Sequence, residues 1–312
     1  MSEHQEMQDI SVVQATRLGK SDKKSKPAAV KQPKVALVIV NWNKKQDVLD
    51  CLQSIQSLEY CNYKTFVVDN NSSDGSVDAI RENFANIKII CNPENLGGSG
   101  GFNRGIEAAG SIEPDYFYLL DNDVILDSGA LSSLVDFLEK NKRAGIAGSK
   151  IYTFSDPDVI WCLGGRINWW QGKTIHISAG EKDKGQFQKP IEVDYVPACS
   201  LLVRHEVVEK VGMLDERFFV YGDDADFCTR VKRAGYKVLC VPFSKIWHKA
   251  SNSKGNVSPF ILYYYFRNNL LFMKKNAQRL QRQIFALFFL FKIFRMNSSI
   301  LAGWLLKGRR RP

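Results

Sequence analysis

The chain has 312 residues, of which 45% are hydrophobic and 24% charged, so it can bury a full α/β core and is not a disordered protein as a whole. Its net charge of +10 lies in the tails, because residues 1–34 carry +3 and residues 267–312 carry +11, which leaves the middle acidic at −4. An acidic centre argues against a nucleic-acid partner. The seven cysteines form no C-x-x-C pair, which predicts neither a zinc site nor a disulfide framework.

Residues 1–33 are polar, rich in lysine and aperiodic, and we expect them to form a disordered leader. The N-terminus shows no cleavable signal, which favours a cytoplasmic protein.

Three strand–loop–helix units follow the leader. The strands are predicted at residues 35–40, 65–68 and 87–91, and the helices at residues 46–58, from 76 through 84, and near 103–109. Repeated units with short connections predict an α/β fold with a doubly wound, mainly parallel sheet and flanking helices.

Ligands of such sheets bind beyond the carboxyl ends of the strands. Four loops at that edge are polar, and they contain Asn41 and Asn43, then Asp69 to Asn71, then residues 95–103, and finally Asp121 and Asp123. Asn, Asp and Gly are also ordinary turn residues, so about half of these positions can be explained by the turns alone.

The pair Asp121 and Asp123 ends the apolar run of residues 116–120. Side chains at i and i+2 of a strand share a face, so both carboxylates can reach one divalent cation such as Mg²⁺ or Mn²⁺. The competing interpretation is a solvated turn.

Residues 95–105 are rich in glycine but match neither a P-loop nor a dinucleotide-binding fingerprint. Backbone amides there can approach a phosphate, and Arg104 can add a cation. The alternative is close packing of backbone without a ligand.

Three carboxylates, Asp223, Asp224 and Asp226, lie within four positions. Mutual repulsion and burial raise a carboxyl pKa, as a general base requires. A helix start is the alternative, and we expect Asp226 to cap the helix or to pair with Arg230 at i+4.

His248 ends another apolar run. With Asp121 and Asp123 it would complete a ligand set acceptable to Mn²⁺, although a lone histidine is more often a core residue. Aromatic residues between positions 150 and 210, namely Trp161, Trp169, Trp170 and Tyr195, could stack on sugars of an acceptor or belong to the core.

Six motifs in this order resemble the family 2 inverting glycosyltransferases, in particular rhamnosyltransferases and galactofuranosyltransferases. They are VIVNWN at 38–43, VVDNNSSDG at 67–75, NLGG at 95–98, LDND at 120–123, FFVYGDDAD at 218–226 and WH at 247–248. The resemblance covers residues 35–275 and implies a GT-A fold, a nucleotide-sugar donor and a divalent metal, Mn²⁺ or Mg²⁺.

The resemblance also implies roles for single residues. Asp121, Asp123 and His248 would hold the metal, and Asp224 would be the base, with Asp223 replacing the usual glutamate of the pair. The nucleotide-sugar site would contain Asn41, Asn43, Asp69, Asn71, Asn95, Gly97, Gly98, Arg104 and Asn122.

The expected reaction moves a rhamnose-like or galactofuranose-like sugar from a UDP or dTDP donor to a hydroxyl of a glycan or lipid-linked acceptor in surface polysaccharide synthesis. Two alternatives remain open, a sugar-phosphate nucleotidylyltransferase and a non-catalytic binding module.

The C-terminal segment has eight consecutive apolar residues at 284–291 with basic residues around them. Because a bilayer span needs about 20 apolar residues, we expect an interfacial helix on an anionic membrane surface, peripheral on the inner face of the cell membrane. A helix docked on the protein is the alternative. The predicted division is a leader at 1–33, a catalytic domain at 34–266 and a membrane-associating helical extension at 267–312.

Overall fold

A computed structural model describes residues 32–249 and 259–308, with side chains of the last helix described up to residue 292 and at 294. The predicted disordered leader, apart from residues 32 and 33, and the basic residues 309–311 therefore lie outside the described residues.

The described residues form twelve strands and eight α-helices. The strands are β1 (Val35–Asn41), β2 (Tyr63–Asp69), β3 (Lys88–Cys91), β4 (Tyr116–Asp121), β5 (Val124–Leu126), β6 (Ala144–Thr153), β7 (Asp156–Cys162), β8 (Gly165–Asn168), β9 (Lys173–His176), β10 (Ile191–Glu192), β11 (Ser200–Arg204) and β12 (Lys237–His248). The helices are α1 (Lys45–Gln56), α2 (Ser76–Asn83), α3 (Gly97–Gly110), α4 (Ala130–Lys140), α5 (His205–Val211), α6 (Asp223–Arg233), α7 (Pro259–Asn276) and α8 (Arg279–Gly308), with a 3₁₀ turn at Glu216–Phe218.

The main sheet has the order β10-β12-β6-β11-β4-β1-β2-β3, with β5 paired to β12 and β7 to β6. Strands β4, β1, β2 and β3 are parallel, as are β12 and β6, whereas β11 runs antiparallel between β4 and β6. The predicted α/β fold with flanking helices is confirmed, and β1, β2 and β4 all end at one edge.

Helices cover both faces of the sheet. Val35, Leu37 and Ile39 of β1 pack in one core with α1, α2 and α4, while Ala36 and Val38 pack in a second core with α3, α6 and α7. The alternation follows from the two-residue period of a strand, and it is the doubly wound arrangement that the repeated units predict.

The glycine-rich segment differs from the predicted loop, because α3 already begins at Gly97. A Cβ on Gly101 would lie 2.7 Å from Cγ1 of Val40, and a Cβ on Gly105 would lie 2.1 Å from Cγ1 of Val38. Glycine disfavours helices, but here it lets α3 lie directly on β1. Close packing therefore explains this part of the glycine run.

We expect Gly105→Ala to lower the free energy of unfolding by about 1–3 kcal/mol, because the added methyl overpacks the contact with Val38. Gly110→Ala at the end of the same helix meets no atom within 4 Å, and it is the matched control, with an expected gain of up to about 1 kcal/mol. Urea unfolding of both variants measures the difference. Equal stability of the two variants would contradict the packing explanation.

The C-terminal helices pack on the second core. Phe272 of α7 and Phe285 of α8 are buried there, and the predicted domain boundary between residues 266 and 267 falls inside α7. No described helix combines the length and the apolarity needed to cross a bilayer.

Candidate active site

A cleft of 510 Å³ opens at the carboxyl ends of the central strands. Its lining includes Asp121, Asp123, Asp223, Asp224 and His248, which come from three distant parts of the chain. The other lining residues are Gly98, Phe102, Trp161, Thr174, His176, Tyr195, Pro197, Ala198, Cys199, Val220, Tyr221, Gly222 and Ile261. The fold thus brings the predicted metal and base residues into one cavity.

Asp121, Asp123 and His248 form the acidic floor of this cleft. The Nε2 atom of His248 lies 2.9 Å from Oδ1 of Asp123 and 4.0 Å from Oδ2 of Asp121. Partial burial and the nearby charge of Asp123 raise the pKa of Asp121 to about 7. Burial opposes the charged form of Asp123, but the hydrogen bond with His248, the charges of His248 and Lys44 and a backbone amide together outweigh burial and hold the Asp123 pKa below its usual value.

Cys199 is the residue at this floor that the sequence analysis missed. One ligand atom each from Asp121, Cys199 and His248 lie within 4.8 Å of one another. Burial, followed by the charges of Asp121 and Asp123, raises the pKa of the Cys199 thiol well above its usual value. A neutral thiol is a poor ligand for a hard cation, so the oxygen and nitrogen ligands fit Mg²⁺ or Mn²⁺ better. A lone cysteine without a C-x-x-C partner gives no signal in the sequence.

Asp223 and Asp224 also line the cleft, from the first turn of α6. The hydroxyl of Ser99 donates to Oδ2 of Asp223 at 3.1 Å, and Oδ1 of Asp224 accepts from the Ala225 amide at 2.7 Å. Burial, the charge of Asp223 and then that of Asp121 raise the pKa of Asp224 to about 7. Both carboxylates therefore start a helix and also face the cleft.

Asp226 points away from the cleft. Its Oδ2 atom accepts from Nε of Arg230 at 3.0 Å and from Nζ of Lys275 at 2.8 Å, and its Oδ1 accepts from the amide of Asn276 at 2.7 Å. The predicted pairing with Arg230 at i+4 is confirmed, and the contacts with α7 could not be read from local spacing.

Three of the predicted nucleotide-site residues meet in a buried network beside the cleft. Nδ2 of Asn41 donates to Oδ1 of Asp69 at 3.0 Å, and Oδ1 of Asn41 accepts from Nδ2 of Asn122 at 2.7 Å. Asp69 Oδ2 also accepts from the Ser72 backbone at 2.8 Å. This network joins the ends of β1, β2 and β4.

The other predicted nucleotide-site residues are more dispersed. Asn43 and Asn71 are exposed in the left-handed conformation, with φ of 50° and 62°, and Asn95 accepts from the Gly97 amide at 2.8 Å. Among the predicted nucleotide-site residues, which all lie in the described part of the chain, Gly98 alone lines the cavity.

Arg104 is not brought to the cleft. Its guanidinium pairs with Glu107 at 3.2 Å on the exposed side of α3. The predicted cation near a phosphate therefore has no support from this placement, because the helical turn directs Arg104 away from the buried side of α3.

The aromatic residues between positions 150 and 210 divide between cleft and core. Trp161 lies edge-on to His248 with ring centres 4.7 Å apart, and Tyr195 also lines the cavity. Trp169 stacks on Phe272 at 5.4 Å, and Trp170 is largely exposed. Trp161 and Tyr195 are thus the two of this group that can meet a ligand in this cleft.

Comparison with protein families gives one match, to the model described as Glycosyl transferase family 2, over residues 36–212. Among curated proteins, an N-acetylglucosaminyl-diphospho-decaprenol L-rhamnosyltransferase of Mycobacterium tuberculosis is 26% identical over 61% of this chain and 67% of its own. A dTDP-rhamnosyl transferase of Shigella flexneri is 25% identical over 77% of this chain and 79% of its own.

Solved structures agree on the fold. A mannosyltransferase of Pyrobaculum calidifontis, in complex with GDP-Man and Mn²⁺, superposes with a TM-score of 0.54 at 14% identity, over 97% of this chain and 88% of its own. GalNAc-T7 with UDP, GalNAc and Mn²⁺ gives a TM-score of 0.57 at 14% identity, over 70% of this chain and 44% of its own. The chain therefore spans less than half of that protein. At these identities the matches establish the GT-A fold and nothing about substrates.

Proposed function

The chain belongs to glycosyl transferase family 2, and from this premise we propose that it is a metal-dependent, inverting transferase that uses a nucleotide-diphosphate sugar. The observation that carries the proposal is the position of Asp224, a carboxylate with a raised pKa that faces the same cavity as Asp121, Asp123 and His248. A base and a cation site in one cavity are what a single displacement at a sugar C1 carbon requires.

The metal would be held by Asp121, Asp123 and His248. Their carboxylate oxygens and imidazole nitrogen are ligands that Mn²⁺ accepts. Burial and the charge of Asp123 raise the Asp121 pKa, and a cation would offset both effects. When bound, a divalent cation stabilises the charge of a departing diphosphate.

Asp224 is proposed to take the proton from a hydroxyl of the acceptor. The hydroxyl oxygen forms a bond to C1 of the sugar as the bond from C1 to the diphosphate oxygen breaks, and the electron pair leaves with the diphosphate. The configuration at C1 inverts. No acid has to protonate the leaving group, unlike in a glycosidase, whose leaving oxygen needs one.

The relatives support a choice of substrates for testing. Two of them are named as rhamnosyltransferases, one with a lipid diphosphate acceptor and one with a dTDP donor, and a 22% identical relative is named as a galactofuranosyltransferase. We therefore propose a rhamnose-like or galactofuranose-like sugar on dTDP or UDP, and a glycan or lipid-linked acceptor in polysaccharide synthesis. The buried network of Asn41, Asp69 and Asn122 would border the nucleoside.

The experiment is a donor panel with the purified protein and Mn²⁺. Each nucleotide sugar is incubated with an acceptor glycolipid, and the release of nucleoside diphosphate is followed together with the anomeric configuration of the product by NMR. The proposal expects one donor to be preferred and its configuration to invert. Retention, or release of pyrophosphate in place of nucleoside diphosphate, would overturn it.

We propose further that the C-terminal helices rest on an anionic membrane surface. One side of α8 packs on the protein through Phe285 and Phe289, whose rings lie 5.4 Å apart. The opposite side exposes Leu287, Leu290, Phe291 and Phe294, at the i, i+3, i+4, i+7 spacing of one helix face. Arg279, Arg282 and Lys292 supply the charge that favours anionic lipid, so the helix is docked and still offers an apolar face.

Replacing Leu287 and Leu290 by glutamate should weaken binding to phosphatidylglycerol vesicles about tenfold or more, because the exposed face then carries two charges. The matched control is the double variant Ile175→Glu and Phe243→Glu, which changes the same charge at two half-exposed apolar residues outside α7 and α8. Vesicle co-sedimentation measures both. Equal losses in the two double variants would show that net charge, and not this helix face, controls binding.

A further inference from the structure

The loop of residues 218–222, directly before Asp223 and Asp224, has an unusual backbone. Phe219, Tyr221 and Gly222 have φ of 62°, 65° and 87°. For residues other than glycine this conformation costs about 1–3 kcal/mol each and persists only where the surroundings enforce it. The orientation of Asp224, which directly follows this loop and Asp223, therefore depends on the contacts that hold the loop.

The start of α3 holds the loop on one side. The Gly98 amide donates to the Phe219 carbonyl at 2.7 Å. A Cβ on Gly97 would lie 2.2 Å from the same oxygen, so only glycine permits this approach.

Asn268 of α7 holds the loop on the other side. Its side chain is 3% exposed, and its Nδ2 atom lies 2.7 Å, 2.6 Å and 2.8 Å from the carbonyl oxygens of Phe218, Val220 and Tyr221. An amide has two hydrogens, so one of them is shared between two carbonyls. These contacts span both strained residues.

The orientation of the Asn268 amide is fixed by its neighbour. Nη1 of Arg267 donates to Asn268 Oδ1 at 2.8 Å and to the Arg217 carbonyl at 2.5 Å. Because the oxygen faces Arg267, the nitrogen must face the loop carbonyls.

The helix that carries Asn268 is itself anchored beside the base. Nζ of Lys275 lies 2.7 Å from Asp215 and 2.8 Å from Asp226, and Asn276 donates to Asp226. Asp226 is one turn along α6 from Asp223, so α7 is tied to α6 as well as to the loop. The family match ends at residue 212, before any of these residues.

We propose that Asn268 is a positioning residue, which clamps residues 218–222 against the start of α3 and so aims the carboxylate of Asp224 at the acceptor hydroxyl. This proposal rests on the proposed role of Asp224 as base. It makes α7 a part of the catalytic apparatus and not only a link to the membrane-facing helix.

The test compares Asn268→Asp and Asn268→Ala with Asn269→Asp. Aspartate at 268 keeps the size and the bond from Arg267, but it presents an acceptor to three carbonyls. We expect both 268 variants to lower kcat about 10–100-fold, as small misplacement of a reacting group does, with the KM for the donor changed less than about twofold. Asn269→Asp introduces the same charge at the adjacent half-buried position, and its kcat should stay within about twofold of the parent.

Hydrogen exchange of the backbone amides of Phe219 and Val220, which donate to the carbonyls of Glu216 and Phe218, supplies a readout independent of turnover. If Asn268 clamps the loop, we expect slow exchange of these amides in the parent and exchange at least about tenfold faster in the folded 268 variants. A folded Asn268→Ala with parental kcat, a raised donor KM at unchanged kcat, or an equal loss in Asn269→Asp would overturn the proposal. If neither 268 variant folds, fast exchange of these amides in the parent protein would overturn it.

Failure of the proposed function gives a different result. A parent protein that transfers no sugar refutes that function, whereas the exchange pattern of the loop still decides whether Asn268 clamps it.

Discussion

Asp224→Asn should lower kcat about 10²–10⁴-fold, which is the range that a positioned general base contributes. Asparagine keeps the shape and the bond from the Ala225 amide, but it cannot accept the proton of a hydroxyl. The KM for the nucleotide sugar should change little, because Asp224 is proposed to act on the acceptor. Steady-state release of nucleoside diphosphate with saturating acceptor measures both constants.

Asp223→Asn distinguishes the roles of the two adjacent carboxylates. Asp223 is engaged by the Ser99 hydroxyl at 3.1 Å, so its change should reduce kcat less than that of Asp224, and mainly through the environment of its neighbour. Asp78→Asn, on the exposed side of α2, is the control and should leave kcat unaltered. If Asp224→Asn kept more than about a tenth of the parental kcat, or if Asp223→Asn cost more, the assignment of the base would be wrong.

The polar residues that follow strands could be anticipated from the sequence, whereas Asp223 and Asp224 of the same site lie at the start of α6. Asp121 and Asp69 come directly after apolar runs, and parallel strands bring their carboxyl ends to one edge. The strong β pattern of residues 35–40 also places β1 correctly, so the fold class needed no information beyond element order and period. That Asp224 lines the same cavity as Asp121 was implied only by the family resemblance.

Long-range packing is what the local pattern could not contain. The glycine run at 97–105 looks like a loop because glycine disfavours a helix, yet contact with Val38 and Val40 makes α3 helical from Gly97 onward. Likewise Arg104, at the start of the helix predicted near residues 103–109, is expected from the sequence to add a cation near a phosphate, but it lies on the exposed side of α3 and pairs with Glu107.

Asn268 and Cys199 were missed for a related reason. Asn268 contacts carbonyls 47 to 50 positions away, and no spacing rule links an asparagine on a C-terminal helix to a loop before α6. Cys199 reaches the acidic floor of the cleft from the turn before β11, and no local pattern in the sequence assigns a role to it.

Asp121→Asn should weaken binding of Mn²⁺ at least about 10–100-fold, since loss of even a group that orients a metal ligand has an effect of this size. The change removes one of the two charged oxygen donors that the cleft floor offers beside His248. Mn²⁺ titration followed by electron paramagnetic resonance, with and without nucleoside diphosphate, measures the affinity without any turnover. Asp127→Asn, four residues beyond Asp123 and outside this cleft, is the matched control and should bind Mn²⁺ like the parent.

The same variant should be more stable than the parent without metal. Partial burial and the charge of Asp123 raise the Asp121 pKa to about 7, so the folded state holds a proton between pH 4 and 7 that the unfolded chain has already lost, and stability falls as pH rises through this window. Above the folded pKa, the carboxylate destabilises the native state in full, and asparagine removes that cost. Because the side chain is 44% exposed, solvent screens the repulsion, and the expected gain at pH 8 with chelator is about 1 kcal/mol.

A substitution that raises stability and lowers metal affinity distinguishes a metal ligand from a structural carboxylate. Neutralising a structural aspartate, one that caps a helix or forms an ion pair, lowers the stability of the protein. Neutralising a metal ligand that lies near other carboxylates raises the stability of the metal-free protein, as substitutions at strained functional sites commonly do. Urea unfolding at pH 8 with chelator, beside the Mn²⁺ titration, tests both signs on one protein sample. Loss of stability together with unchanged Mn²⁺ affinity would assign Asp121 to the architecture of the turn and remove the cation from the proposed reaction.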